Sequence, residues 1–278
     1  MKQCKKNLER LLGTVAAVML CISSLLQVPV MADELKVYAR AALLMDASNG
    51  RILYEENGYE KLPMASTTKI MTCILALENA SLNDRVSVSA YAASQEPSKL
   101  YMTAGDSFTL NDLRYSLMLP SHNDTAVAIA EHISGSTSAF AKKMNDKAKQ
   151  LGCTSTHFVT PNGLDAGLNH YTTARDLAKI AQYAWKNATF RKIVGTSAWR
   201  FSSRQGRSYS VATTNALLRT MKGVTGMKTG FTNKAGYCFV GVVKAKSGKQ
   251  YISVTLGAGS STARWQDART LLAYAYKH

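Results

Sequence analysis

The chain has 278 residues, 46% of them hydrophobic and 19% charged, a balance that fits a folded globular protein and excludes a disordered chain or a many-pass membrane protein. At roughly 100–200 residues per domain, this length allows one large domain or two closely joined lobes. The formal net charge is +16, and +13 once the four basic residues and Glu9 of the first 32 residues are set aside, which favours an anionic partner surface.

At the start of the chain, Lys2, Lys5, Lys6 and Arg10 precede an apolar stretch from Leu11 to Val30, and Val30-Met31-Ala32 supplies small residues for cleavage. Residues 1–32 are read as a secretion signal. An uncleaved anchor is the alternative, because the apolar run approaches the roughly 20 residues that span a bilayer. Cys21 follows Val18-Met19-Leu20, which lacks the small residue expected before a lipidated cysteine. Beyond the leader, Cys73, Cys153 and Cys238 are odd in number and widely spaced, so no disulfide framework is encoded. For an exported chain the expected anionic partners are wall polymers and lipid headgroups. The basic residues are scattered rather than interleaved with aromatics, which argues against nucleic acid.

From Ala39 to Tyr54, two β-like segments flank Asn49-Gly50, a type I′ hairpin signal. Ser66 to Leu77 is apolar at helical spacing, with Ile70, Ile74 and Leu77 in step and Pro63 just upstream, so a buried helix is expected to begin at Ser66. Between Leu110 and about Ala184 the helical period dominates, broken at Pro120, at Ser134-Gly135-Ser136, and from Pro161-Asn162-Gly163 to Gly167. Gly226 to Thr232, Gly236 to Lys244 and Gln250 to Gly257 read as strands of a meander, with turns at Asn233-Lys234-Ala235 and Ser247-Gly248. A helix from Arg264 to Tyr276 closes the chain. The first hairpin and the last meander can pair into one antiparallel sheet, with the helical segment inserted as a second lobe and a cleft between them. The expected division is a sheet lobe at about 33–65 and 190–278, and a helical lobe at about 66–189.

Ser66-Thr67-Thr68-Lys69 is the one Ser-x-x-Lys in the chain, and on a helix its serine and lysine share a face about 5–6 Å apart. A lysine can deprotonate a serine if burial or neighbouring charge lowers its pKa. By itself the pair reads more simply as a capping serine before a solvated lysine. Two further motifs alter that balance. In Pro120-Ser121-His122-Asn123 an extended Ser-x-Asn would point Ser121 and Asn123 to one side and His122 away, into a packing or rim role. In Gly226-Met227-Lys228-Thr229-Gly230-Phe231-Thr232 a cation, a hydroxyl and a glycine lie on an apparent edge strand. A peptide could add there, with Lys228 and Thr229 reading its carboxylate and Gly230 allowing close approach. Lys246-Ser247-Gly248 is similar but falls in a turn.

In this order the three motifs resemble the Ser-x-x-Lys, Ser-x-Asn and Lys-Thr-Gly set of penicillin-recognising serine enzymes. Longer stretches are similar to the D-alanyl-D-alanine carboxypeptidase family: Pro63 to Lys69, Asn162-Gly163-Leu164, His170 to Asp176, and Gly223 to Gly236. The resemblance runs from about Tyr38 to the C-terminus. It implies an α+β fold of the β-lactamase/DD-peptidase type, an antiparallel sheet flanked by helices with an inserted all-helical subdomain. It also implies that Ser66 attacks the bond between two D-alanines of a peptidoglycan peptide while Lys69 takes its proton. Ser121 would relay a proton to the leaving amine, and Asn123 would hold Lys69 and the substrate amide. Lys228 and Thr229, with Gly230 beside them and Arg264 assisting, would bind the terminal carboxylate. The N–H groups of Ser66 and Phe231 would form the oxyanion hole. β-Lactams would acylate the same serine, and no cofactor or metal is expected. His122 departs from the family, where a small residue is usual, and the C-terminal β domain of many relatives is not expected here.

Rival chemistries are less well supported. There is no Gly-x-Ser-x-Gly elbow for a Ser-His-Asp hydrolase. Cys153 and His157 could form half a metal site, but no second ligand pair accompanies them. A class A β-lactamase needs a glutamate-positioned water, and no glutamate follows Glu131. A non-catalytic wall-peptide binder would be marked by loss of the nucleophile or base, and Ser66, Lys69, Ser121 and Lys228 are all present.

Overall fold

Among the described residues the first elements form an antiparallel hairpin of β1 (Ala41–Asp46) and β2 (Ile52–Glu56). The computed structural model describes residues 35–165, 167 and 169–277; the leader expected over 1–32 lies outside them. The hairpin loop is not the expected two-residue turn at Asn49-Gly50. It runs over residues 47–51, and Gly50 alone is left-handed, at φ 77°. The Asp46 carboxylate accepts from Ser48 N at 2.8 Å and Ser48 Oγ at 2.6 Å, and this side-chain turn folds the chain before Asn49 is reached.

A 3₁₀ turn at Ala65–Thr68 leads into α1 (Lys69–Asn79). Ser66 therefore sits in a tighter turn ahead of the α-helix that was expected to begin with it. The Thr67 and Thr68 hydroxyls donate back to Met64 O at 2.6 Å and Ala65 O at 2.7 Å, a local competition with α-helical bonding. The strand β3 (Arg85–Ser87), the short α2 (Ala90–Ala93) and β4 (Ser107–Thr109), which pairs with β3, come next.

Five helices then form most of the helical block: α3 (Leu110–Met118), α4 (Asn123–Ser134), α5 (Thr137–Gln150), α6 (Ala174–Lys186) and α7 (Ala188–Val194). Thr109, Ser136, Thr173 and Asn187 cap α3, α5, α6 and α7 by accepting the backbone N–H three residues on. The first eight residues of α4 are buried, and Ala126, Ala128 and Ala130 let it lie centrally among α1, α2, α3 and α5. A second small hairpin, β5 (Ala198–Ser202) with β6 (Ser208–Ala212), and the short α8 (Leu217–Thr220) complete the middle of the chain.

The meander is present as expected: β7 (Val224–Thr232), β8 (Gly236–Lys244) and β9 (Gln250–Ala258), followed by α9 (Ser261–Lys277). One antiparallel sheet has the order β2-β1-β9-β8-β7, so the first and last strands of the chain pair at its centre and β7 lies at its edge. β9 is buried at every position from Tyr251 to Leu256, which requires cover on both faces; α9 packs on β8 and β9, and α6 on β9 and β1. Among the described residues no helix is long and apolar enough to cross a membrane.

Candidate active site

Backbone shape delivers the candidate nucleophile. Ala65 adopts φ 46°, an uncommon conformation for a residue with a Cβ, and so turns Ser66 out of the path of α1. Two glycines let neighbouring backbones close on this turn. A Cβ at Gly163, where φ is 87°, would lie 2.0 Å from Ala65 O, and a Cβ at Gly230 would lie 3.1 Å from Met64 O, Ser66 N and Thr67 N. Residues 160–165 and the edge strand β7 thus meet at Ser66.

Lys69 begins α1 and is fully buried. Its Nζ lies 2.8 Å from Ser66 Oγ and donates to Asn123 Oδ1 and Asn162 O, each at 2.7 Å. Burial, reinforced by the charge of Lys228, holds its pKa well below the usual lysine value, while Asp124 acts in the opposite direction. In its neutral form the amine has two N–H donors and one lone pair. The two carbonyl oxygens can only accept, so they take the two donors and leave the lone pair facing the Ser66 hydroxyl. The Asn123 amide is fixed in that sense because its Nδ2 donates to Glu96 O at 2.9 Å and Pro97 O at 3.1 Å.

Ser121 and Asn123 enter from the loop before α4 and from its first residue. The expected extended Ser-x-Asn is not formed. Ser121 is left-handed at φ 76°, and its nearly buried Oγ has no hydrogen-bond partner among the described residues. A polar atom stripped of water without a partner suits one that a ligand completes. His122 takes the packing role: it is buried, and its Nδ1 lies 2.9 Å from Ser116 Oγ, which in turn contacts Thr125 Oγ1 at 2.8 Å. Burial, with Lys69 and Lys228 nearby, pushes its pKa down to about 3, so the ring is neutral.

From β7, Lys228 is buried and donates to Thr229 O at 2.9 Å. Burial and the charge of Arg264 lower its pKa to about 7. Thr229 Oγ1 lies 2.6 Å from Thr214 Oγ1, and Gly230 is the point of contact with the Ser66 turn. Phe231 is 48% exposed and packs, tilted, at 4.3 Å against Tyr237. Arg264 reaches from α9 to Gly230 O at 3.5 Å and packs its guanidinium over Tyr237 and Trp265; its buried Nε has no partner among the described residues. Arg264 therefore backs the Lys228 strand.

Sequence reading missed two contributors. The Asn162 carbonyl, though inside a quoted stretch, is a main-chain group with no side-chain signature. Asp124 is fully buried and accepts Leu100 N at 3.0 Å and Met102 N at 3.3 Å, which fixes the loop that holds the Asn123 amide.

Known proteins resemble this chain in sequence and in fold. The family model described as D-alanyl-D-alanine carboxypeptidase matches residues 28–260. The D-alanyl-D-alanine carboxypeptidase DacF of Bacillus subtilis is 35% identical over 249 residues, covering 88% of this chain and 64% of that protein. The chain thus spans less than two thirds of that relative. The D-alanyl-D-alanine endopeptidase of Pseudomonas aeruginosa is 31% identical over 207 residues, covering 72% of this chain and 65% of that protein. The crystal structure of the Streptomyces K15 DD-transpeptidase superposes with a TM-score of 0.81 at 33% identity, covering 87% of this chain and 98% of that one. By the family match and the fold together, this chain belongs to the D-alanyl-D-alanine carboxypeptidase family of serine DD-peptidases.

Proposed function

We propose that the chain, with residues 33–278 as its catalytic domain, is an exported serine-type D-Ala-D-Ala carboxypeptidase. It removes the terminal D-alanine from peptidoglycan pentapeptides through a Ser66 acyl-enzyme. The observation that carries this reading is the buried Lys69 amine, 2.8 Å from Ser66 Oγ with both its other neighbours limited to accepting. Lys69 takes the Ser66 proton as Oγ bonds to the carbonyl carbon between the two D-alanines. The N–H groups of Ser66 and Phe231 hold the oxyanion, Ser121 relays the proton from Lys69 to the departing nitrogen as the carbon–nitrogen bond breaks, and free D-alanine leaves. Water then adds to the ester and restores Ser66. Asn123 positions Lys69 and the substrate amide. Lys228 and Thr229, with Gly230 giving access and Arg264 behind the strand, bind the terminal carboxylate.

Penicillins present a carbonyl and a carboxylate to the same groups and acylate Ser66, with slow release because no glutamate follows Glu131 to position a water. The charge of +13 beyond residue 32 supports retention at an anionic wall or membrane surface, which salt-dependent elution from anionic polymer tests; elution unaffected by salt refutes it.

The deciding experiment incubates the protein from Asp33 onward with benzylpenicillin and with a peptide ending in D-Ala-D-Ala, beside Ser66→Ala. The expected result is a persistent mass adduct on Ser66 together with D-alanine release, both absent in the variant. Rapid penicillin turnover would instead indicate a β-lactamase, and folded protein giving neither adduct nor release would indicate a binding protein.

A further inference from the structure

His170 lies behind the nucleophile turn, 1% exposed, with both ring nitrogens engaged. Its Nδ1 accepts the Val159 N–H at 3.0 Å and the Thr160 N–H at 3.4 Å. A ring nitrogen that accepts carries no proton, so the proton of the neutral imidazole is on Nε2. Nε2 lies 2.8 Å from Thr68 Oγ1 and donates to it; the Thr68 hydroxyl donates in turn to Ala65 O at 2.7 Å. The result is a one-directional relay from the 159–160 backbone through the ring to the turn before Ser66. Burial, with the charges of His157 and Lys234, pushes the ring down to about 4, so at neutral pH it carries the single proton that this direction requires. Phe158 packs edge-on at 5.8 Å and fixes the ring plane.

Both ends of the relay bear on the reacting pair. Ala65, at φ 46°, holds a conformation that persists only where its surroundings enforce it, and it is the residue before Ser66. The segment at the other end continues to Asn162, whose carbonyl accepts from Lys69 Nζ at 2.7 Å, and to Gly163, which closes on Ala65 O. Nucleophile and amine are therefore each held by an element that His170 ties to the other.

We propose that His170 is a positioning residue for the nucleophile, which as its Nε2–H tautomer clamps the loop bearing the Asn162 carbonyl to the turn bearing Ser66. This rests on the acyl-enzyme reading of Ser66 and adds to it a residue outside the three motifs. A displacement of about 1 Å at a reacting centre can cost about a hundredfold in rate, so loss of the clamp acts on the acylation step rather than on initial binding.

The test breaks the relay at each end. His170→Gln keeps a donor toward Thr68 but offers Val159 no acceptor, and His170→Asn does the reverse. Thr68→Val removes the link to Ala65 while leaving His170 in place, and it serves as well if the ring variants fold poorly. The acylation rate constant and the pre-covalent dissociation constant for benzylpenicillin are measured on folded protein, with melting temperatures alongside. The expected result is an acylation rate constant lowered at least about tenfold in each variant, with the dissociation constant within about twofold of the unaltered protein. Acylation within about twofold in all three, whatever the melting temperatures do, would assign His170 to stability alone and overturn the proposal. If the unaltered protein itself forms no adduct, the acyl-enzyme reading fails. The clamp is then decided by the ring ¹⁵N shifts of His170, where a protonated Nε2 beside an accepting Nδ1 sustains it and the opposite tautomer overturns it.

Discussion

At the scale of the residue, two buried lysines are the costly feature of the site. Lys228 has its folded pKa lowered to about 7 by burial and by Arg264, against about 10.4 for an unfolded lysine. Between those values the unfolded chain holds a proton that the folded one releases, so this group makes stability rise with pH and imposes its full penalty below about 7. Lys69, lowered in the same direction, adds to the slope. The buried thiols act oppositely from pH 9 upward, since burial pushes Cys73 and Cys153 up to about 12 and Cys238 to about 11. The clean window is therefore pH 7 to 9. Lys228→Met is expected to melt at least about 3 °C above the unaltered protein at pH 7, about 1 kcal/mol for a domain of this size, with the gap narrowing by pH 9. The variant is also expected to lose D-alanine release. Calorimetry showing equal or lower stability for the methionine variant at pH 7 would mean that Lys228 is not held under strain.

At the scale of the element, the site depends on backbones approaching where no side chain fits. Gly163 and Gly248 are both left-handed, at φ 87° and 85°, but a Cβ at Gly163 would strike Ala65 O at 2.0 Å whereas none of the surrounding atoms lies within 4 Å at Gly248. Gly248→Ala should cost only the conformational penalty, about 1 kcal/mol. Gly163→Ala carries the same penalty and must also displace the loop that bears the Asn162 carbonyl, so penicillin acylation should fall at least about a hundredfold. Equal acylation in the two variants would remove this loop from the mechanism. The same contrast shows what was legible in the sequence. The meander, the breaks at Pro120 and Ser134-Gly135-Ser136 and the three motifs could be read because they are written in side-chain period and type. The three-residue strands β3 and β4 were not, since they are too short to show alternation. The left-handed Ala65 and Ser121 and the Asn162 carbonyl were not either, because backbone angle and main-chain acceptors at non-glycine residues leave no compositional trace.

At the scale of the molecule, the sheet is closed by segments from the two ends of the described chain. β1 pairs with β9 at its centre, and the Tyr38 and Ala39 N–H groups both donate at 2.8 Å to the carboxylate of Asp267 on α9. Asp267 is fully buried, and burial raises its pKa against the lowering effect of those two bonds. Replacing it by alanine leaves the buried Ala39 N–H unpaired while that of exposed Tyr38 can turn to water, a loss of about 1–3 kcal/mol for the one unsatisfied group. For a chain of this length that corresponds to a melting temperature lower by roughly 2–12 °C. Asp267 makes its bonds to the start of the chain rather than to the Ser66 turn, so the acylation rate constant of folded Asp267→Ala at 20 °C should stay within about twofold of the unaltered protein. A large fall in acylation would instead mean that α9 transmits the clasp through Arg264, one turn earlier on the same helix, to the backbone of Gly230. Paired with Gly163→Ala, the variant therefore separates two demands on one fold: the junction of β1 with β9 and α9 holds the chain together, and the 160–165 loop must stand against the nucleophile turn.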